Sequence, residues 1–269
     1  MIRLIRGELY KARTTMVPWV MAILVAVLAA GGVLLVFHLS AVRQFGPGVA
    51  TPAWGTPSTP AELRDLVDFP VLSVGFSLPV VLGVLLATTE YRHKTITNAF
   101  LVTPKRWQVV TAKAIVAALG GLALAVVSLV VSYAVAAPFL AGQGGSVHDF
   151  THQAAYAASG LLLSYALLGI LGVGVGTLLR NQVAALITTL AWFLIAEGIL
   201  GSIFPSYFRW LVSGVVDAAA RVPLGGLGDR NGPTLTHIFP TWGGTVALLA
   251  YGVGITVIGY LLTTRRDVT

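Results

Sequence analysis

No cysteine occurs among the 269 residues. A disulfide framework, a thiolate nucleophile and a thiolate metal site are therefore excluded in any redox compartment. Charge is nearly as scarce, since 10% of the residues are Asp, Glu, Lys or Arg, where a water-soluble domain carries roughly 25%. There is no Gly-x-x-x-x-Gly-Lys-[Ser/Thr] run and no other loop of the kind that cradles ATP phosphates, so ATP hydrolysis by this chain is not expected. A Gly-x-Ser-x-Gly elbow is also missing, and no His is paired with a Ser inside an apolar run. Hydrolysis within a membrane thus lacks a visible nucleophile and base.

What the sequence does have is apolar surface: 56% of its residues are hydrophobic and its mean hydropathy is +0.85. The apolar residues fall into six blocks, near 17–39, 71–89, 109–137, 154–179, 182–204 and 241–262. At about 1.5 Å per helical residue each block reaches across a hydrocarbon core of about 30 Å. The expected fold is an all-α integral membrane protein, one transmembrane domain of six helices over residues 1–269.

Six spans place both termini on one side. That side collects 12 of the 17 basic residues, among them Arg3, Arg6, Lys11 and Arg13 before the first span and Arg92, Lys94, Lys105, Arg106 and Lys113 between the second and third. Its net charge is +9 against −1 on the other side, with Glu197 inside a span. By the positive-inside rule the +9 side is cytoplasmic. The overall charge of +7 is then a topology signal rather than a nucleic-acid surface.

Local signals fill in the connections. Ile2, Ile5, Leu9, Ala12 and Met16 recur at helical spacing while Arg3, Arg6, Lys11 and Arg13 occupy the remaining circumference, which predicts an amphipathic helix over 1–16 on the cytoplasmic leaflet. A basic leader that only sets topology is the alternative. The apolar run at 17–39 is too long for a signal-peptide core, so the first span is expected to persist. Residues 41–59 read as an outer loop rich in Pro and Gly, and Thr59-Pro60-Ala61-Glu62 as a capping box opening a helix. Pro79 predicts a kink in the second span. Arg180-Asn181 is so short a link that spans four and five form an antiparallel hairpin. Residues 205–240 are expected to hold one or two short outer helices, partly re-entrant, before a Gly/Pro turn region at 223–233.

Four places draw attention as sites. Gly169, Gly172 and Gly176 share a helical face and allow close helix packing, whereas a nucleotide loop at Gly172-Val173-Gly174 has no preceding strand to support it. His148 and His152 have metal-ligand spacing but lack a fixed third ligand, so no metal site is expected. The link Glu90-Tyr91-Arg92-His93-Lys94-Thr95-Ile96-Thr97-Asn98-Ala99-Phe100 reads as a short polar helix over 90–103, with Glu90 and Lys94 as an i, i+4 ion pair and Ile96 and Phe100 as an apolar one. Such a helix suits either docking of a partner protein or rest on lipid headgroups. Glu197, in Trp192-Phe193-Leu194-Ile195-Ala196-Glu197-Gly198, lies about 22 Å into its span by helical rise. A carboxylate there costs about 2.5–3.5 kcal/mol to insert, so it faces protein or a water cavity. It is read as part of a translocation path or outer gate, or else as a buried acid capping a broken helix.

In this order of segments, the run Glu90, Tyr91, Arg92, Lys94, Thr95, with Pro104-Lys105-Arg106 after it and the Leu179-Arg180-Asn181-Gln182 corner, resembles the permease subunit of ABC-2 type ABC transporters, in particular bacterial drug, bacteriocin and lantibiotic exporter or immunity permeases. Lys94 stands where that family often has Gly. The resemblance implies that the N-terminal helix is an elbow, that 90–103, including His93, is the coupling helix, and that two permease copies work with two separate ATPase subunits. ATP and Mg would then be bound by the partner, with no cofactor in this chain, in a bacterial plasma membrane. The competing expectation is a non-transporting immunity or scaffold protein.

Overall fold

A computed structural model describes residues 1–45, 55–58, 60–70, 75–92, 106–220 and 239–265. Among these residues there is no strand. Helix α1 spans Ile2–Thr14, α2 Val17–Phe45, α3 Pro60–Pro70, α4 Ser77–Arg92, α5 Arg106–Gly142 and α6 Val147–Leu179. Helix α7 (Gln182–Ala191) continues through a π-helical turn, Trp192–Ala196, into α8 (Glu197–Ile203). A 3-10 turn at Pro205–Trp210, α9 at Val212–Ala220 and α10 at Thr241–Arg265 complete the described elements.

Five stretches are long and apolar enough to cross a membrane: Val17–Ala41, Trp107–Gly142, Val147–Leu179, Gln182–Ile203 and Thr241–Leu262. The expected second span differs. Its described part, α4, has 16 residues, about 24 Å, and residues 71–74 lie outside the described set. Pro79 falls in the first turn of α4, where a backbone N–H has no intrahelical acceptor to lose, so no kink follows within that helix.

Connections are built by side chains that satisfy helix ends. Thr15 is extended and ends α1. Ser58 N–H donates to Glu62 Oε2 at 3.0 Å, so the Glu62 carboxylate reaches back over the start of α3. Ser146 Oγ accepts from Asp149 N–H, which starts α6 seven residues ahead of the expected 154. The α6–α7 hairpin needs two residues only. Arg180 takes the left-handed conformation at φ 50° and closes α6, and Asn181 Oδ1 accepts from Val183 and Ala184 N–H and opens α7.

Helix α6 is the axis. Helix α5 runs antiparallel to it, with Ala117 against Gly169, Gly121 against Tyr165, and Tyr133 hydroxyl bonded to Thr151 at 3.0 Å. Helices α3 and α4 run alongside it in the same direction, from Arg64 Nε donating to Gln153 Oε1 at 2.7 Å through Gly83 against Gly172 to Ala87 against Gly176. Helix α10 also runs with α6, from Gly252 near Leu167 to Leu262 O, which accepts from Arg180 at 2.7 Å. Gly169, Gly172 and Gly176 therefore all sit where a neighbouring backbone comes within reach of a single methyl group. Two apolar clusters flank the axis: Val33, Phe37, Leu66, Leu82, Leu140 and Phe150 on one side, and Val80, Leu168, Phe193, Val215 and Leu248 on the other.

The outer surfaces of α2, α7, α8 and α10 expose Ile23, Val27, Val183, Ile187, Ile199, Val253 and Val257. Such a girdle is what hydrocarbon, not water, solvates. Adding a methyl at Gly172 drives it into the Val80 carbonyl of α4, so Gly172→Ala should lower stability in detergent by about 1–3 kcal/mol. Gly254→Ala meets nothing within 4 Å and should unfold at the wild-type temperature. Equal melting of the two variants would remove α4–α6 contact as a determinant of stability.

Candidate functional site

Besides the buried Asp65 of α3 and Asp217 of α9, two places in the bundle draw buried carboxylates together with several partners. The first lies where α1, the end of α4 and the beginning of α5 meet. Glu8 is the only acidic residue before Glu62 and is turned inward from an otherwise basic helix, with 6% of its surface exposed. Lys11, one turn later, donates to Glu8 Oε1 at 2.7 Å and to Glu90 Oε1 at 2.9 Å. Lys113, 4% exposed, lies 3.0 Å from Glu8 Oε2 and 3.3 Å from Glu90 Oε1, and also donates to Leu86 O at 3.2 Å. The result is a closed ring of alternating sign, Glu8–Lys11–Glu90–Lys113, with no net charge.

Burial by itself would raise the Glu8 carboxyl, but Lys113 and Lys11 hold it below its ordinary 4.5. Burial likewise works against Lys11, and Glu8 and Glu90 hold that ammonium above its ordinary 10.5. The Glu8 contribution to stability is thus complete above pH 4.5 and is lost as pH falls through the lowered value. The Lys11 contribution is complete below pH 10.5 and is lost as pH rises through the raised one.

This ring rearranges the reading of the link. Glu90, Tyr91 and Arg92 are the last turn of α4 rather than the start of a separate helix. Glu90 is buried and bound to Lys11 and Lys113, while Arg92 is exposed. His93, Lys94, Thr95, Ile96 and Phe100, with the rest of the expected helix through 103, lie outside the described residues. The ring fastens both flanks of that segment, Glu90 before it and Lys113 after it, to α1. Two signals for it were present in the sequence: a lone acid on a basic amphipathic helix, and a lysine inside the apolar run after Trp107 that requires a partner.

The second place is Glu197. The π-helical turn bonds Glu197 N–H to Trp192 O, five residues back. In a regular α-helix residues five apart point about 140° away from each other; widening the turn brings them to one side. Trp192 Nε1 accordingly donates to Glu197 Oε1 at 2.7 Å. The same carboxylate accepts from Val212 N–H at 3.0 Å and Ser213 N–H at 2.9 Å, the first two residues of α9. Glu197 is 4% exposed and stands at the positive end of a helix that would otherwise carry unpaired donors. Of the two readings from sequence, these partners are those of the capping carboxylate. Helix α9 is itself enclosed, with Gly160 against Ala220 and Gly244 against Ala218 and Ala219. Residues 221–238 of the expected outer segment lie outside the described set.

His148 and Asp149 are exposed, 3.6 Å apart. Among the described residues no three His, Asp or Glu side chains come together.

A family model described as ABC-2 family transporter protein matches residues 4–196, well over half of the chain. The matched region holds all four residues of the charged ring and stops one residue short of Glu197. No curated protein matches the chain.

Lys113→Met should leave two buried carboxylates sharing the exposed Lys11 as their one cation and destabilise the bundle by about 3–5 kcal/mol. Adding Glu8→Gln and Glu90→Gln to that variant should recover much of the loss, as read by thermal unfolding in detergent. Separately, a spin label at Thr14→Cys should gain mobility as pH falls below 4.5. A label equally immobile at acid pH would show that the ring does not hold α1.

Proposed function

The chain belongs to the ABC-2 family of transporter proteins, a multi-pass membrane protein, and on that premise we propose that it is the permease subunit of an ATP-driven exporter. The observation that carries the reading is the extent of the family match, from the N-terminal helix through the link and into the long apolar stretch Gln182–Ile203. Two copies of the permease form the path, and two separate ATPase subunits supply the work. Six crossings are proposed, with both termini in the cytoplasm of a bacterial cell. In that topology α4 belongs to the second crossing. Its support is the course of the backbone: Gly55 N–H bonds Phe37 O at one end of the bundle, whereas Glu90 meets Lys11 and Lys113 at the other.

The segment 90–103 is the proposed docking surface, with Arg92, Ile96 and Phe100 meeting the ATPase. Ion pairing of Glu90 and Lys113 means that a displacement of the docked segment pulls on α4, α5 and α1 together. At the opposite end Glu197 holds α9 over the outer mouth of the path, so the position of α9 depends on the register of α7 and α8.

Phe100→Ala should weaken ATPase binding roughly 5- to 150-fold, the equivalent of about 1–3 kcal/mol. Arg92→Glu should weaken it through charge reversal. Both variants should insert normally. Co-purification and permease-coupled ATP hydrolysis are the measurements, with the distant Arg221→Gln as control. Wild-type retention by both variants would place docking elsewhere, and absence of any ATPase from the wild-type complex would favour the immunity or scaffold role. For the topology, cysteines introduced at Thr56 and Ser146 should react with an impermeant reagent from outside, and those at Lys94 and Thr269 should not.

A further inference from the structure

Ion pairing of Glu8 fixes not only where α1 sits but how it is rotated. Taking the inward Glu8 as origin and about 100° per residue, Leu9 and Ile2 lie about 100–120° round the helix. Arg13 and Arg6 follow at about 140–160°, and Arg3 at about 220°. The other flank presents Gly7 and Thr14, with neither charge nor apolar bulk. Ile2 is 72% exposed and Leu9 39%, and Met16, just past the helix, is 83% exposed.

Arg3, Arg6 and Arg13 are exposed as well, and none makes an ion pair among the described residues. No acidic side chain shares their face, because the only acid of α1 is the one turned inward. The depth of this helix is marked independently. Trp19 Nε1, at the start of α2, donates to Arg13 O at 3.4 Å, and its side chain is 61% exposed. Trp107, at the same end of α5, is 46% exposed. Indole rings of this kind settle at the headgroup boundary.

We propose that α1 is a binding surface for anionic phospholipid: Ile2, Leu9 and Met16 enter the acyl region while Arg3, Arg6 and Arg13 meet the phosphate groups beside them. A phosphate oxygen accepts hydrogen bonds from the planar guanidinium fork, and a headgroup with net negative charge leaves that attraction uncancelled, whereas a zwitterionic headgroup carries its own cation. The charged ring supplies the aim, since α1 rotated by half a turn would put the arginines against α4 and α5. This inference concerns the permease chain alone and does not depend on the ATPase.

The test uses the full chain in neutral detergent, to which phosphatidylglycerol or phosphatidylcholine is added and the bound lipid counted by native mass spectrometry. The wild type should retain phosphatidylglycerol preferentially. Each arginine removed should reduce that preference by on the order of fivefold. The triple change Arg3→Gln, Arg6→Gln, Arg13→Gln should therefore abolish it with the unfolding temperature unchanged. Arg3→Lys, Arg6→Lys, Arg13→Lys should keep most of it, and Arg209→Gln, at the opposite end, should keep all of it. Absence of preference in the wild type, full preference in the triple glutamine variant, or equal loss in Arg209→Gln would each overturn the proposal. Loss of ATPase co-purification with lipid retention intact would instead assign the arginines to a protein contact and overturn it too.

Discussion

In hydrocarbon an apolar helix face gains little by exchanging lipid for protein, because lipid tails are as apolar as leucine. Close packing has to supply what the hydrophobic effect supplies in water. Helix α6 meets this constraint with glycine on several faces: Gly172 and Gly176 toward α4, Gly169 toward α5, and Gly174 toward α10 near Thr256. Each removes a side chain from the contact and lets two backbones approach until dispersion between them is near its optimum. The arrangement explains why the girdle of exposed isoleucine and valine lies on α2, α7, α8 and α10, whereas α4 and α6 are largely enclosed.

Glycine packing has no long-range specificity, and something else must set which helix ends belong together. The charged ring does so at one end. In water such pairs contribute little. Shielded by α4 and α5 they attract more strongly, and a mispaired carboxylate there carries a heavy desolvation penalty. The ring thereby selects one rotational setting of α1 and one register of α4 against α5. Glu197 performs the corresponding task at the other end, using three donors in place of two cations. In place of a cation it has the indole of Trp192 and the positive end of α9, which offsets part of a carboxylate's charge.

How much of this was legible beforehand follows from the range of the interactions. Hydropathy over windows of a membrane's thickness located the long segments, and local chemistry located the Arg180-Asn181 corner, since the stop and start of a helix hairpin are set by adjacent residues. Gly169, Gly172 and Gly176 were readable as a packing face because their spacing is helical. The ring was not read, because its contacts join residues 79 and 105 positions apart, and the only trace in sequence is a charge out of place. Spacing alone pairs Glu90 with Lys94, which lies outside the described residues, and a local rule gives no sign of Lys11 and Lys113, the cations that Glu90 meets. Glu197 was left with two readings because its π-helical turn has no compositional signature.

These two polar fixtures lie at opposite ends of a bundle whose middle is held by glycine contacts and apolar clusters. Beside the glycines, side chains of α4 and α6 interdigitate, Val80 with Leu168 in one cluster and Leu82 with Tyr165 in the other, so the two helices are held against sliding as well as separation. A pull on the segment between Glu90 and Lys113 would meet its stiffest coupling in α1, α4 and α5, which the ring joins. The far end responds differently. Helices α7 and α8 touch the bundle on few faces; Phe193, between them, packs edge-on against Phe76 at 5.1 Å, and the Glu197 carboxylate holds the start of α9. A shift in α6 carries α7 with it through the two-residue corner at Arg180 and Asn181, and the π-helical turn, already one residue wider than α-helix, is the place where that shift can be absorbed or passed on to α9.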